Sequence, residues 1–157
     1  MYIILVILTM FVFPFASILV EWFVLKSQAG IVPLVGSTFV FWAVGIRLGL
    51  AGLRQALNPK FTAKQILGVD DDGSLQIVQE LGFANLSIGV IGIAPLFNGS
   101  WVIPAAIAGC LFYGLAGVRH IVKKDKNALE LTATISDLFA SLILLGYLIL
   151  AFTQYPA

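Results

Sequence analysis

Charge is what this chain lacks most: only 11% of its 157 residues are Asp, Glu, Lys or Arg, where a water-soluble domain carries about 25%. Too few polar side chains remain to cover a large domain in water. That excludes a soluble globular enzyme, a disordered tail and a nucleic-acid-binding module. Cysteine is nearly missing too, and the single Cys110 forbids an intrachain disulfide or a CxxC redox or zinc site. With one histidine in the chain, a metal centre is short of donors and none is expected. No serine sits in a nucleophile-elbow context, so Ser/His/Asp hydrolysis has no support. The residues indicate neither a cofactor nor a catalytic constellation.

What fills the chain instead is apolar: 60% of it is hydrophobic, with a mean hydropathy of +1.02. A helix crossing a hydrocarbon core of about 30 Å needs about 20 mostly apolar residues. Five segments qualify: residues 2–25, 31–53, 75–97, 101–122 and 131–152. The expected fold is a single all-α integral membrane domain over residues 1–157. The first span has no positive n-region, too long an apolar run for a signal peptide and no A-x-A-like site, so it reads as a retained anchor. Pro14 should kink it only mildly.

The basic residues are placed unevenly. Arg47, Arg54, Lys60, Lys64, Arg119, Lys123, Lys124 and Lys126 fall on one side of a five-span chain, and only Lys26 falls on the other. The positive-inside rule makes the crowded side cytoplasmic, in a cell (inner or plasma) membrane, with the N-terminus inside and the C-terminus outside. Leaving out the first span does not change that orientation.

Loops one and three are tight, which predicts antiparallel packing of spans one with two and three with four. In the longer connection, Asn58-Pro59 ends span two. Thr62 and Gln65 have capping-box spacing and Gly68 can stop a helix, so a short interfacial helix is expected over 63–67. Asp70-Asp71-Asp72-Gly73 fits a calcium loop poorly, because Gly at position six and Glu at twelve are both missing. A turn with a carboxylate at a helix N-terminus is the plainer reading. Asn98-Gly99-Ser100 matches a glycosylation sequon but reads as an ordinary hairpin turn, and Trp101 beside it as an interfacial anchor.

An ionisable group inside a span costs at least about 2.5–3.5 kcal/mol at the helix centre, so each needs a partner. Glu21 lies near the outer end of span one, within reach of water or Lys26. Arg47, Glu80, Asn85, His120 and Asp137 form a different group: Arg47 and His120 lie near the cytoplasmic ends of their spans, and Glu80 and Asp137 roughly 8–9 Å inside the boundary at 1.5 Å per residue, so four spans put polar groups at a similar level. At 100° per residue, Gly82, Asn85, Gly89 and Gly92 form one stripe of span three, and Glu80, Ala84 and Ser87 a second, nearly opposite. Two small-residue stripes predict that span three is the central helix. On span four, Ala105, Gly109, Tyr113, Ala116 and His120 share a face, and on span five Thr134, Asp137 and Ser141 do. On span two, Gly45, Gly49 and Gly52 form a seam, with Ala43, Arg47, Ala51 and Arg54 on the other side.

Two readings of this group stay open. In the first, Arg47 pairs with Glu80 or Asp137 to fix register, Asn85 glues helices together and His120 sits among headgroups. In the second, Glu80, Asn85, His120, Asp137, Arg47 and Tyr113 line a pocket for membrane lipid, quinone or another amphipathic ligand, or a proton path. The alternatives at the level of function are a small proton-coupled transporter and a structural or assembly subunit. The glycine seams would serve the latter in a homo-oligomer or against another membrane protein.

The run Glu80-Leu81-Gly82-Phe83-Ala84-Asn85-Leu86-Ser87-Ile88-Gly89 resembles the signature of an uncharacterised family of small bacterial and archaeal membrane proteins, related to the DoxX-like group. The resemblance spans residues 45 to about 150. It takes in the glycine-rich helix ending at Pro59, the piece reaching Gly68, the helix closing on His120, Asn127 and the helix bearing Asp137. It implies a four-helix DoxX-like bundle with the first span added, and weight on Glu80, Asn85 and His120. That family usually has histidine where Gln55 aligns here, so a two-histidine site would be incomplete. DoxX itself is associated with quinone-linked thiosulfate oxidation and its CxxC-bearing relatives with thiols. Without a CxxC, this chain inherits no redox activity from the resemblance, although a redox-accessory role fits it.

Overall fold

Long apolar runs leave a backbone only internal partners for its polar groups, and helices provide them. The computed structural model describes residues 2–69 and 71–154; Asp70, the first residue of the expected aspartate turn, lies outside the described residues. The described chain is helical, without strands. Five helices are long and apolar enough to cross a membrane: α1 (Tyr2–Val24), α2 (Ile31–Leu57), α4 (Asp72–Leu96), α5 (Gly99–Val122) and α6 (Ala128–Gln154). A short helix, α3 (Phe61–Leu67), joins α2 to α4. Helix α2 runs one turn beyond Leu53, and α6 begins at Ala128, three residues before the expected start.

The outward faces are apolar: Leu19, Val90, Leu115 and Leu142 are among many large exposed hydrophobics. A hydrocarbon solvent suits such an exterior, and water does not. The wide i→i+5 turn over Leu8–Val12 ends two residues before Pro14. Loosening the helix there relieves the clash of the proline ring with the carbonyl four residues back.

Helix α2 is the centre of the molecule. Of its apolar stretch 56% is buried, against 28% for α4, so the expectation that span three is central is corrected. The reason lies in the two stripes of α4. Gly82, Asn85, Gly89 and Gly92 are buried against α2, whereas Glu80, Ala84 and Ser87 face outward and are exposed. The buried stripe meets Gly45, Gly49 and Gly52 of α2 backbone to backbone. A methyl group at Gly89 would lie 2.7 Å from Gly49 Cα, and one at Gly82 would lie 2.6 Å from Ala56 N. Methyl groups at Gly92 and Gly52 would press harder still, on Gly45 and Leu86. Small residues let helices approach closely where no hydrophobic force drives them together.

The other close pairing is α5 with α6. Ser141 Oγ donates to the Cys110 carbonyl at 3.0 Å, and Gly114 and Gly117 make room for Ser141 and Leu138. The strongest pairings are thus α2–α4 and α5–α6, not the pairs joined by the tight loops. Helix α1 lies outside, tied to α2 by the Trp42 indole N–H donating to Ser17 Oγ at 3.0 Å. A dry core of Phe39, Val40, Ala43, Val44, Ala105, Ala106, Ala140 and Leu144 fills the middle.

Local turns follow the side chains. Asp71 Oδ1 accepts from Ser74 N at 2.8 Å and caps α4, and Asn98 Oδ1 accepts from Ser100 N at 3.0 Å in the α4–α5 turn. Gly68, at φ 70°, closes α3 in the left-handed region that favours glycine. The Thr62/Gln65 capping box is not formed: α3 starts earlier, at Phe61, and Thr62 is buried inside its first turn.

Candidate functional site

At the end of the bundle that carries α3 and the 123–127 loop, here the basic end, α1, α2, α4, α5 and α6 surround a cavity of about 150 Å³, with α3 beneath it. Arg47 enters from α2, on a stretch of i→i+5 turns over Val40–Leu48. Turns of this kind are rare and gather at functional sites. The guanidinium is buried, with Nη2 donating to the Tyr2 hydroxyl at 3.2 Å and Cζ 5.6 Å from that ring's centroid. Its Nε has no partner.

From α4, Asn85 donates through Nδ2 to Gln55 Oε1 at 2.7 Å, and its own Oδ1 has no partner. From α5, the Tyr113 hydroxyl donates to the Ala43 carbonyl at 2.5 Å. This bond turns a fully buried ring into a strut between α5 and α2. From α6 comes the buried Asp137. No ion pair within 4.0 Å joins Asp137 to Arg47 among the described residues. Both charges face one cavity without closing on each other.

Beside the cavity, His120 joins a charge cluster, Glu130 and Lys123, that does not line it. Glu130, buried at the start of α6, lies 3.3 Å from His120 Nδ1 through one oxygen and 2.8 Å from Lys123 Nζ through the other. The contact with Lys123 supplies the partner that a buried carboxylate requires. Lys123 also donates to the Leu67 carbonyl at 2.9 Å, and Asn127 to the Gln65 carbonyl at 2.8 Å. These two bonds fasten α3 against the bundle. Arg54 Cζ stands 3.6 Å from the Phe61 ring centroid, a cation–π contact that tethers α3 to α2.

Residues 4–155 match the model of a protein family described as a family of unknown function, DUF6790. The chain belongs to that family. No curated protein matches this chain, and no solved structure does. The family match begins at residue 4 and therefore takes in α1, which the earlier resemblance set apart as an addition to a four-helix core. In this DUF6790 member α1 also supplies Tyr2 to the cavity.

Of the six residues singled out in the sequence, five line the cavity: Arg47, Asn85, Tyr113, His120 and Asp137. Glu80 does not. It is exposed on the outward stripe of α4, accepting from Gln76 Nε2 at 3.2 Å. Its neighbour Gln79 donates to the Ala56 carbonyl at 2.9 Å, which sets Glu80 level with the end of α2 rather than deep within the bundle. Sequence reasoning passed over Tyr2 and Glu130, and named Gln55 only as the place where the resemblance expects a histidine. The available signal for Glu130 was its place seven residues before Asp137, on the same helical face.

Proposed function

We propose that this DUF6790 protein is a multi-pass membrane protein that binds the polar head of an amphipathic ligand, a lipid or a quinone, in the cavity at its basic end. By the positive-inside rule that end faces the cytoplasm and the cavity lies in the inner leaflet. The observation that carries the reading is a buried arginine and a buried asparagine, each with an unpartnered polar atom, on the wall of one cavity. Buried polar groups without partners are costly and call for a function. A purely structural arginine would close on Asp137, and this one does not.

Binding is favoured over transport by what lies between the two ends. A second cavity of about 320 Å³, near Glu21, Ser37 and Tyr147, opens at the opposite end. Fully buried Val40, Ala43, Val44, Ala140 and Leu144 separate it from the first. A DoxX-like kinship and a redox-accessory role remain part of this proposal. An assembly role needs no cavity and leaves Arg47 unexplained.

The test is thermal stability of the full chain in detergent with ubiquinone or menaquinone analogues and with single phospholipids. A rise in Tm with one of these classes, lost in Arg47→Met, is the expected result. Equal Tm with and without every compound would overturn the reading.

A further inference from the structure

We infer that the cavity opposite the basic end binds a primary ammonium group, held by the carboxylate of Glu21. The inference is independent of the reading given to the basic-end cavity. Glu21 lies half-buried, three residues before α1 ends at Val24, about 4.5 Å inside that end at 1.5 Å per residue. A carboxylate within a span calls for a partner. Lys26, the cation nearest to it in the chain, does not supply one. Lys26 is exposed, and the Glu21 side chain makes no hydrogen bond or ion pair among the described residues. The carboxylate lines a cavity of about 320 Å³ instead.

The lining sets the sign of the ligand and then its kind. Glu21 is its only charged residue, so an anion would meet that carboxylate with no basic side chain between them. The other polar side chains are the hydroxyls of Ser37, Ser100 and Tyr147. A hydroxyl oxygen can accept a hydrogen bond, and a carboxylate can only accept. A primary ammonium carries three donors and no acceptor, which suits that set in charge and in hydrogen bonding. A quaternary ammonium has no N–H to donate and is recognised by a cage of aromatic rings, whereas Tyr147 brings the one ring in this lining. A metal ion takes several oxygen ligands at once, and no group of three His, Cys, Asp or Glu side chains gathers among the described residues. Ala29, Gly99 and Ser100 on the rim are exposed at the helix ends. The mouth therefore faces water, and a soluble amine can enter.

The experiment is a titration of the full chain in detergent with butylammonium, butyltrimethylammonium and butyrate. Tryptophan fluorescence reads it, since Trp22 and Trp101 neighbour Glu21 and Ser100 in the chain. Butylammonium should bind about tenfold more tightly than butyltrimethylammonium, which cannot donate, and butyrate should not bind. Glu21→Gln should weaken butylammonium about tenfold, and Arg47→Met should leave it unchanged. Should Glu21→Gln fail to fold, the order of the three compounds on wild type decides alone. Lysophosphatidylethanolamine distinguishes the source: binding tighter than butylammonium, with the same dependence on Glu21, assigns the ammonium to a lipid head, and weaker binding assigns it to a soluble amine. Both results uphold the inference. Butyrate or butyltrimethylammonium binding as well as butylammonium, an unchanged affinity in Glu21→Gln, or no binding of any compound would overturn it and leave the basic-end reading standing.

Discussion

The two sides of α2 meet their neighbours in opposite ways. Toward α4 it offers Gly45, Gly49 and Gly52, and there the two backbones come into direct contact. Toward the cavity it offers Arg47 and Arg54, a long cation inside the bundle and another at its rim. The first side has nothing left to adjust. The second carries polar atoms that the protein itself does not satisfy. The rigid seam fixes where α2 stands, so Arg47 is held at a set depth without an ion pair to hold it. Close packing and the cavity wall are thus carried by opposite faces of one helix.

That division can be broken most severely at the seam. Gly89→Val should cost about 3 kcal/mol by overpacking, because its Cβ would meet Gly49 backbone at 2.7 Å; loss of the monodisperse peak in size-exclusion chromatography reads it out. Gly49→Ala is the matched control. Nothing lies within 4 Å of its Cβ, and the change should leave Tm unchanged or raise it by up to about 1 kcal/mol of stability through helix propensity. If both variants behave alike, close backbone contact does not set the seam.

On the cavity side the expected sign reverses. The double variant Arg47→Met/Asp137→Leu removes two buried charges that do not pair, and should stabilise the fold by about 2 kcal/mol while abolishing ligand binding. A marked fall in Tm instead would make these charges structural. Tyr113→Phe removes the hydroxyl bond to the Ala43 carbonyl and should cost about 1 kcal/mol in thermal denaturation. The smallest effect belongs to Glu80→Gln. The exposed side chain should change stability by less than about 0.5 kcal/mol and leave ligand affinity untouched.

Glu80 also marks where reading the sequence stops. Helical periodicity found the glycine stripes on α2 and α4 because the seam uses one residue type at regular spacing. The same periodicity put Glu80 on a second stripe but could not say whether a helix covered it, since small residues suit a lipid-facing surface as well as an interface. Asn85, Arg47, His120, Tyr113 and Asp137 stood out as polar groups within apolar runs, and the cavity gathers all five. Glu130 escaped because α6 starts at Ala128 and carries this carboxylate inside a helix whose expected boundary fell just after it. Tyr2 escaped because an amphipathic ring at a span's first residue has no periodicity to betray it. Gln55 stood where the resemblance expected histidine, and its bond to Asn85 is a contact between α2 and α4 that spacing alone does not reveal.

Native mass spectrometry of the protein released directly from membranes tests the central claim most directly. Wild type should carry one bound amphipathic molecule, and Arg47→Met/Asp137→Leu, folded and at least as stable, should emerge without it. Equal occupancy in both proteins, or a bare wild type, would contradict the account.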